Sequence, residues 1–203
     1  MAEHFPLRLA ASRMLAPSVR HMAFERADGQ AFAFVPGQFV QVHFSYADGK
    51  PTKRSYSVAT IGDGAAVERL EVAVSYVDGG AATELLANLK EGDSIEGSGP
   101  YGRFCLMDAD ANRRYLLVAT GTGVTPYRSM LPQLEKLIAA RGIQVALVYG
   151  ARNEAELLYA DEFEAFARKN PNFHFYACLS RTPRSLPRPP DRNGHGQVAL
   201  TAL

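Results

Sequence analysis

Pro51-Thr52-Lys53-Arg54-Ser55-Tyr56-Ser57-Val58-Ala59 decides how this chain is read. The run is β-prone and sets a cation, an aromatic ring and two hydroxyls on neighbouring positions. Side chains of a strand alternate between faces, so Arg54 and Tyr56 share one face and Ser55 and Ser57 the other. A guanidinium pairs bidentately with phosphate. A tyrosine ring beside it can lie on a planar heterocycle, and a serine hydroxyl can bond a ring nitrogen. Pyrophosphate, ring face and ring edge are what a flavin dinucleotide requires. Four residues alone also suit an ordinary half-buried strand, so the decision rests on what surrounds them.

The bulk composition narrows the classes. At 203 residues the chain can hold one large domain or two small ones. A hydrophobic fraction of 47% and a charged fraction of 21% are those of a globular protein. With 22 basic and 21 acidic residues the formal net charge is +1, which argues against nucleic acid or an anionic membrane as the main partner. Cys105 and Cys178 are the only cysteines. They cannot ligate an iron–sulfur cluster or a Cys-only zinc site, and two buried free thiols are expected. Met1 to Arg20 lacks the apolar core of a signal peptide and no run is long enough to span a bilayer, so a cytoplasmic location is expected.

Outward from Arg54, the first half reads as short alternating strands divided by turns. Residues 1–16 are weakly patterned. Strands are expected over Val19–Glu25, Ala31–Val35 and Phe39–Phe44, then around Arg54, then through Leu70, Val72, Val74 and Tyr76. Turns are expected at Ala27-Asp28-Gly29, Ala47-Asp48-Gly49 and Gly62-Asp63-Gly64. This spacing suggests a small antiparallel barrel or sandwich. His43 reads as a wall residue, because no second His or Cys stands at ligand spacing. Asp78-Gly79-Gly80-Ala81-Ala82-Thr83 opens a short helix, with Thr83 as the expected N-cap and Leu85, Leu86 and Leu89 as its apolar side. A helix start presented by glycines is an anion site in outline. Another strand is expected around Ile95. Gly97-Ser98-Gly99-Pro100-Tyr101-Gly102 is too glycine-rich to predict regular structure.

Near residues 108–112 the pattern changes. Arg114–Thr120 is a near-continuous apolar run, as expected for a strand buried on both faces. A helix over Pro126–Ala140, a strand over Ile143–Tyr149, a helical region from Asn153 to about Lys169 and a strand over Asn172–Leu179 complete a βαβαβ unit with a parallel sheet. Pro132 is expected to kink the first helix. Asn153-Glu154-Ala155-Glu156 reads as a capping box. Between the first strand and helix stands Gly121-Thr122-Gly123-Val124-Thr125-Pro126, a turn suited to a nucleotide phosphate, with Thr125 as a candidate cap. Arg152 follows the second strand, Ser180 and Arg181 the third, and Arg184 lies close behind. Such sheets bind ligands outside the carboxyl ends of their strands. These side chains would suit the 2′-phosphate of NADP, or would be solvated arginines of a Pro-rich loop.

Taken together, the chain resembles the ferredoxin–NADP reductase superfamily, particularly the bacterial ferredoxin/flavodoxin reductases. Pro36-Gly37-Gln38-Phe39 is similar to the strand before the family's flavin motif, and Arg54-Ser55-Tyr56-Ser57 to its Arg-x-Tyr-Ser. Gly80-Ala81-Ala82-Thr83 resembles its flavin-pyrophosphate turn. Gly99-Pro100-Tyr101-Gly102-Arg103-Phe104 resembles its Gly-Pro-x-Gly-x-Phe, and Gly121 to Pro126 its pyridine-nucleotide motif. The resemblance implies two domains. An antiparallel β-barrel FAD-binding domain would span 1–108, and an α/β parallel-sheet NAD(P)-binding domain 109–203. It implies that Arg54 binds the flavin pyrophosphate, that Tyr56 stacks on the isoalloxazine and that Ser57 sits at flavin N5, with Ser55 beside them. Val74 and Tyr76 would line the flavin side. Gly80, Ala81, Ala82 and Thr83 would hold phosphate, and Thr122 would come nearest the flavin. Gly121, Thr122, Gly123, Val124 and Thr125 would seat NADP, or NAD, with Arg152, Ser180 and Arg181 at the 2′-phosphate.

The family's terminal strand with Cys-Gly-x-x-x-Met does not occur before Leu203, so either the natural C-terminus lies further on or the member is short. The implied activity is transfer of electrons from NADPH through FAD to a ferredoxin or flavodoxin, by a monomer with no metal of its own. An NADH-using reductase component of an oxygenase and a flavin-binding relay or regulatory subunit without hydride transfer are the alternatives.

Overall fold

The structure, a computed structural model, describes residues 3–46, 48–62, 65–77, 79–107, 110–181 and 192–193. Its chain forms two compact units: residues 1–106 with 125–130, and residues 107–124 with 131–203.

The first unit is an antiparallel sheet of β1 (Glu3–Ala16), β2 (Val19–Arg26), β3 (Phe39–Ser45), β4 (Pro51–Ser57), β5 (Arg69–Ser75) and β6 (Ser94–Tyr101), with helix α1 (Ala81–Asn88) between β5 and β6. The strand order is β4-β3-β6-β1-β2-β5, and the two outer strands approach each other where Val58, just past β4, bridges Val72. The sheet thus curls towards a barrel. Its interior holds Phe5, Leu7, Leu9, Met22, Phe24, Val40, Val42, Val58, Leu70, Val72 and Val74, each at most 2% exposed. Every such Leu or Phe contributes about 1.5–3 kcal/mol on burial.

The weakly patterned start is the longest strand, β1, paired with both β2 and β6. Its alternation is plain at Phe5, Leu7 and Leu9. It then breaks at a register shift between Leu9 and Ala11, a bulge that resets which face each side chain takes. Ala31–Val35 makes no strand but one bridge, Phe32 to Val67, while Phe32 and Phe34 still fill the core. Gly97 to Tyr101 is regular β6. A Cβ at Gly97 would stand 2.6 Å from the Leu7 side chain and 2.8 Å from that of Phe5, so glycine there is what close packing of β6 on β1 demands. Thr83 is not the cap of α1. Gly80 holds that position, and Thr83 Oγ1 accepts the Val77 amide instead, at 2.9 Å. Ala47, Asp63, Gly64 and Asp78 of the expected turns lie outside the described residues.

The second unit is a parallel sheet in the order β10-β9-β8-β7, with β7 (Arg114–Thr120), β8 (Gln144–Ala151), β9 (Phe173–Leu179) and β10 (Arg192–Asn193). Helix α2 (Thr125–Arg141) follows β7 and α3 (Ala160–Lys169) follows β8. Strand β8 is buried on both faces, but β7 is not. Among the described residues it pairs only with β8, and Leu116 and Val118 are 53% and 45% exposed. The apolar run therefore marks an edge strand covered on the Leu117 and Ala119 side. Asn153 opens only a 3₁₀ turn over Glu154–Glu156; its side chain makes no cap bond, and Glu156 turns to Arg152 and Asn153. Helix α3 starts separately at Ala160, behind Tyr159 in the left-handed region. Helix α2 runs on through Pro132 to a left-handed Gly142 cap. Val124, not Thr125, precedes its first residue. Cys105 is half-buried and Cys178 buried, both as free thiols. Asp108, Ala109, Arg184 and Gly196 to Leu200 lie outside the described residues.

Candidate functional site

In the first unit the geometry centres on a seam between β4 and β5. Each is an end strand of the sheet, and past the Val58–Val72 bridge they form no ladder with one another. Continuing that antiparallel register sets Tyr56 across from Val74 and Arg54 across from Tyr76. The facing strand edges carry backbone donors and acceptors that a bound group can satisfy. Tyr56 and Tyr76 are half-buried against the barrel core, and burial pushes the Tyr56 phenol up. Ser57 is half-buried and Ser55 exposed. Val74 is 1% exposed, which leaves its backbone as what it can present.

Arg54 is exposed at the far end of the seam. Its Nη1 donates to the Lys53 carbonyl at 2.9 Å and to Thr52 Oγ1 at 3.3 Å, and its Nη2 to the Tyr46 hydroxyl at 3.3 Å. The loop from Tyr76 leads to Gly80 and the start of α1. A Cβ at Gly80 would come within 3.1 Å of Thr83 Oγ1 and of the Val77 carbonyl. The first-turn amides of Ala81, Ala82 and Thr83 have no acceptor within the helix and point out of it. At its other end α1 is held by Arg20, whose guanidinium donates to the carbonyls of Leu86 at 2.9 Å, Ala87 at 3.2 Å and Leu89 at 3.1 Å.

A buried ionic group completes this unit. Arg128 donates at 2.6 Å to both Glu71 Oε2 and the Ala59 carbonyl. The His21 ring, 3.8 Å from the same carboxylate, and the Arg128 guanidinium hold Glu71 down at about 2. Ser129 Oγ accepts the Gly37 amide at 3.2 Å, and Thr125 is 1% exposed. A Cβ at Gly37, φ +101°, would collide with the Phe104 carbonyl. Gly37 and Phe104 come from two separate motifs that the fold packs together.

In the second unit, Gly121 to Val124 form a 3₁₀ turn at the carboxyl end of β7. Gly121 has φ +52°, and neither Gly121 nor Gly123 has any atom within 4 Å of where a Cβ would stand, so that face of the turn is open. The buried Tyr149 hydroxyl supports it from below. It lies 3.1 Å from the Gly121 carbonyl and 3.3 Å from that of Glu156, and accepts the Leu158 amide at 3.1 Å. Desolvation pushes this phenol up to about 12. Bonds from the Ser180 amide to the Ala151 carbonyl, at 3.1 Å, and from the Arg181 amide to the Arg152 carbonyl, at 2.9 Å, bring Arg152, Ser180 and Arg181 together. Arg152 is committed to Glu156 at 2.7 Å. Arg181 is exposed and pairs with no side chain among the described residues. Thr122 belongs to this unit, and no cluster of metal-ligating side chains occurs among the described residues.

Residues 6–105 match the model of the oxidoreductase FAD-binding domain and residues 117–189 that of the oxidoreductase NAD-binding domain. Ferredoxin–NADP reductase B of Sorangium cellulosum is 43% identical over 180 residues, covering 89% of this chain and 71% of that protein. The chain belongs to the ferredoxin–NADP reductase family. It is an oxidoreductase of that family, built from an FAD-binding and an NAD(P)-binding domain.

Its likeness extends to reductase partners of oxygenases. The toluate 1,2-dioxygenase electron transfer component of Pseudomonas putida is 32% identical over 178 residues, covering 87% of this chain and 50% of that one. The crystal structure of Amycolatopsis cytochrome P450 reductase GcoB superposes with a TM-score of 0.82 at 28% identity, covering 99% of this chain and 58% of that one. The chain thus spans about half the length of these two. Against the family, the donor set of the first unit fits a flavin dinucleotide: a guanidinium with hydrogens to spare, a glycine cradle that a Cβ would crowd, and open strand edges. Sequence reasoning missed Arg20, Tyr46, Arg128 and Tyr149. Each acts through a partner distant in sequence or through a turn, and no local spacing announces it.

Proposed function

We propose that this chain is an FAD-dependent reductase that draws electrons from NADPH and delivers them to a ferredoxin or flavodoxin. The observation that carries it is the β4–β5 seam, two end strands that form no ladder past the Val58–Val72 bridge, with Arg54 and Tyr56 on one and Val74 on the other. In this reading residues 1–108 hold FAD and 109–203 the pyridine nucleotide. FAD would supply a hydride acceptor and a one-electron donor. Arg54 and the α1 amides would hold its pyrophosphate, and Tyr56 and Ser57 would hold its ring. Gly121 to Thr125 seat the nicotinamide nucleotide. Arg181 supplies the unpaired cation for the 2′-phosphate, with Ser180 beside it. Arg152 contributes less, because Glu156 already neutralises it.

The test is an anaerobic absorbance titration of the flavin-loaded chain with NADPH. Bleaching at near-equal amounts is the expected result. A flavin that dithionite reduces and NADPH does not would leave a flavin module without hydride transfer, and a chain that takes up no FAD would end the reading. The commitment of Arg152 to Glu156 favours one second reading, an NADH-using reductase component of an oxygenase. Arg181→Ala separates the two: on the first reading it raises KM for NADPH about tenfold and leaves that for NADH unchanged.

A further inference from the structure

The hairpin of β3 and β4 does more than carry Arg54. Tyr46, 39% exposed at the end of β3, places its hydroxyl 3.3 Å from Arg54 Nη2. Hydrogen bonds from Thr52 and Arg54 draw this phenol below its usual range. The Phe44 ring lies under the same guanidinium, 5.9 Å from its carbon, and meets the Tyr46 ring edge-on at 6.2 Å. With the Lys53 carbonyl and Thr52 hydroxyl on Nη1, three of the guanidinium's five hydrogens are taken. Among the described residues Nε–H and one Nη2–H donate to nothing. Those two nitrogens form the side-on edge of an arginine, the edge that meets two oxygens of a phosphate at once.

We propose that Tyr46 is a positioning residue for phosphate recognition, fixing the Arg54 guanidinium so that its Nε–Nη2 edge faces a flavin dinucleotide's pyrophosphate. The inference rests on the reading of Arg54 as a pyrophosphate ligand. A free arginine must surrender side-chain entropy when it binds. Here the hairpin has already restricted it: Nη1 is tied to its own strand, Phe44 bounds one face, and Tyr46 holds the Nη2 end against swinging of the planar group. The hydroxyl takes one hydrogen of Nη2 and leaves that nitrogen a second for the phosphate.

The test uses the full chain stripped of flavin and titrated with FAD and with riboflavin, which has no phosphate, following flavin fluorescence. Tyr46→Phe keeps the ring and removes only the hydroxyl. It is expected to raise the Kd for FAD about three- to tenfold, the range of one net hydrogen bond, and to leave riboflavin binding unmoved. In an Arg54→Ala background the same substitution is expected to change FAD affinity by less than about twofold, because the group it positions is gone. Equal loss with and without Arg54, equal loss for FAD and riboflavin, or no loss at all would overturn the role of Tyr46. If Arg54→Ala itself leaves FAD affinity unchanged, it is the pyrophosphate role of Arg54 that falls.

Discussion

Glu71 carries the strongest electrostatic commitment in the barrel unit, and its effect on stability has a definite sign. Its carboxyl sits at about 2 in the fold, with the His21 ring and Arg128 as partners, against 4.5 ordinarily. A depressed carboxylate stabilises the fold above its ordinary value and loses that contribution as pH falls from about 4.5 towards 2. Glu71→Gln is expected to cost about 2 kcal/mol at neutral pH, since it leaves the buried Arg128 without its counter-charge. It should also flatten the acid limb of a plot of urea midpoint against pH. His43 works at a higher pH and through burial. Desolvation lowers it, with the charges of His4 and Lys53 adding and Glu96 opposing, while its Nε2 lies 2.7 Å from Ser98 Oγ. The unfolded chain then binds the proton more readily, so stability rises with pH across the ordinary titration of histidine. His43→Gln should reduce that slope between about pH 5 and 7, read from the same denaturation series.

At the scale of elements, α1 is short and is held by Leu86 and Leu89 in the barrel core and by one side chain of β2. An isolated helix of its eight residues would not persist in water. Arg20 satisfies three carbonyls at its C-terminal end, where a cation also suits the helix dipole. Arg20→Ala is expected to destabilise the barrel by about 1–3 kcal/mol and to speed amide exchange through Ala81–Asn88 ahead of the sheet. Slow exchange there in the variant would show that Leu86 and Leu89 alone suffice. Elements were legible where periodicity was unbroken, as in β3, β5, β8 and β9. They were not where pairing overrode composition. A bulge interrupts β1; in β6, Leu7 and Phe5 leave no room for a side chain at Gly97, and Gly99 takes a φ of +146° that other residues rarely adopt. Strand β7 has the apolar content of a central strand at an edge position, and content does not report position.

For the molecule as a whole, ligand binding offers the test that reaches both units. FAD binds only the folded chain, so a hundredfold excess over its Kd should stabilise the protein by about 2.7 kcal/mol and raise its melting temperature. Arg54→Ala should abolish most of that rise at the same FAD concentration, while Arg181→Ala should leave it intact. Loss of the FAD response in Arg181→Ala would place the cation elsewhere than the nucleotide phosphate. The order of the motifs along the chain, and with it the family and the two cofactor classes, was determined by the sequence alone. Glycines, an Arg-x-Tyr-Ser run and a strand-to-helix turn are local chemistry, readable wherever they occur. Only the tertiary structure decided which groups each motif meets. Tyr46 reaches Arg54 by a hairpin, Arg20 reaches α1 across the sheet, and Arg128 reaches Glu71 from the first turns of α2. Those contacts follow from strand register and burial, which arise between segments far apart in the chain and leave no pattern within either one.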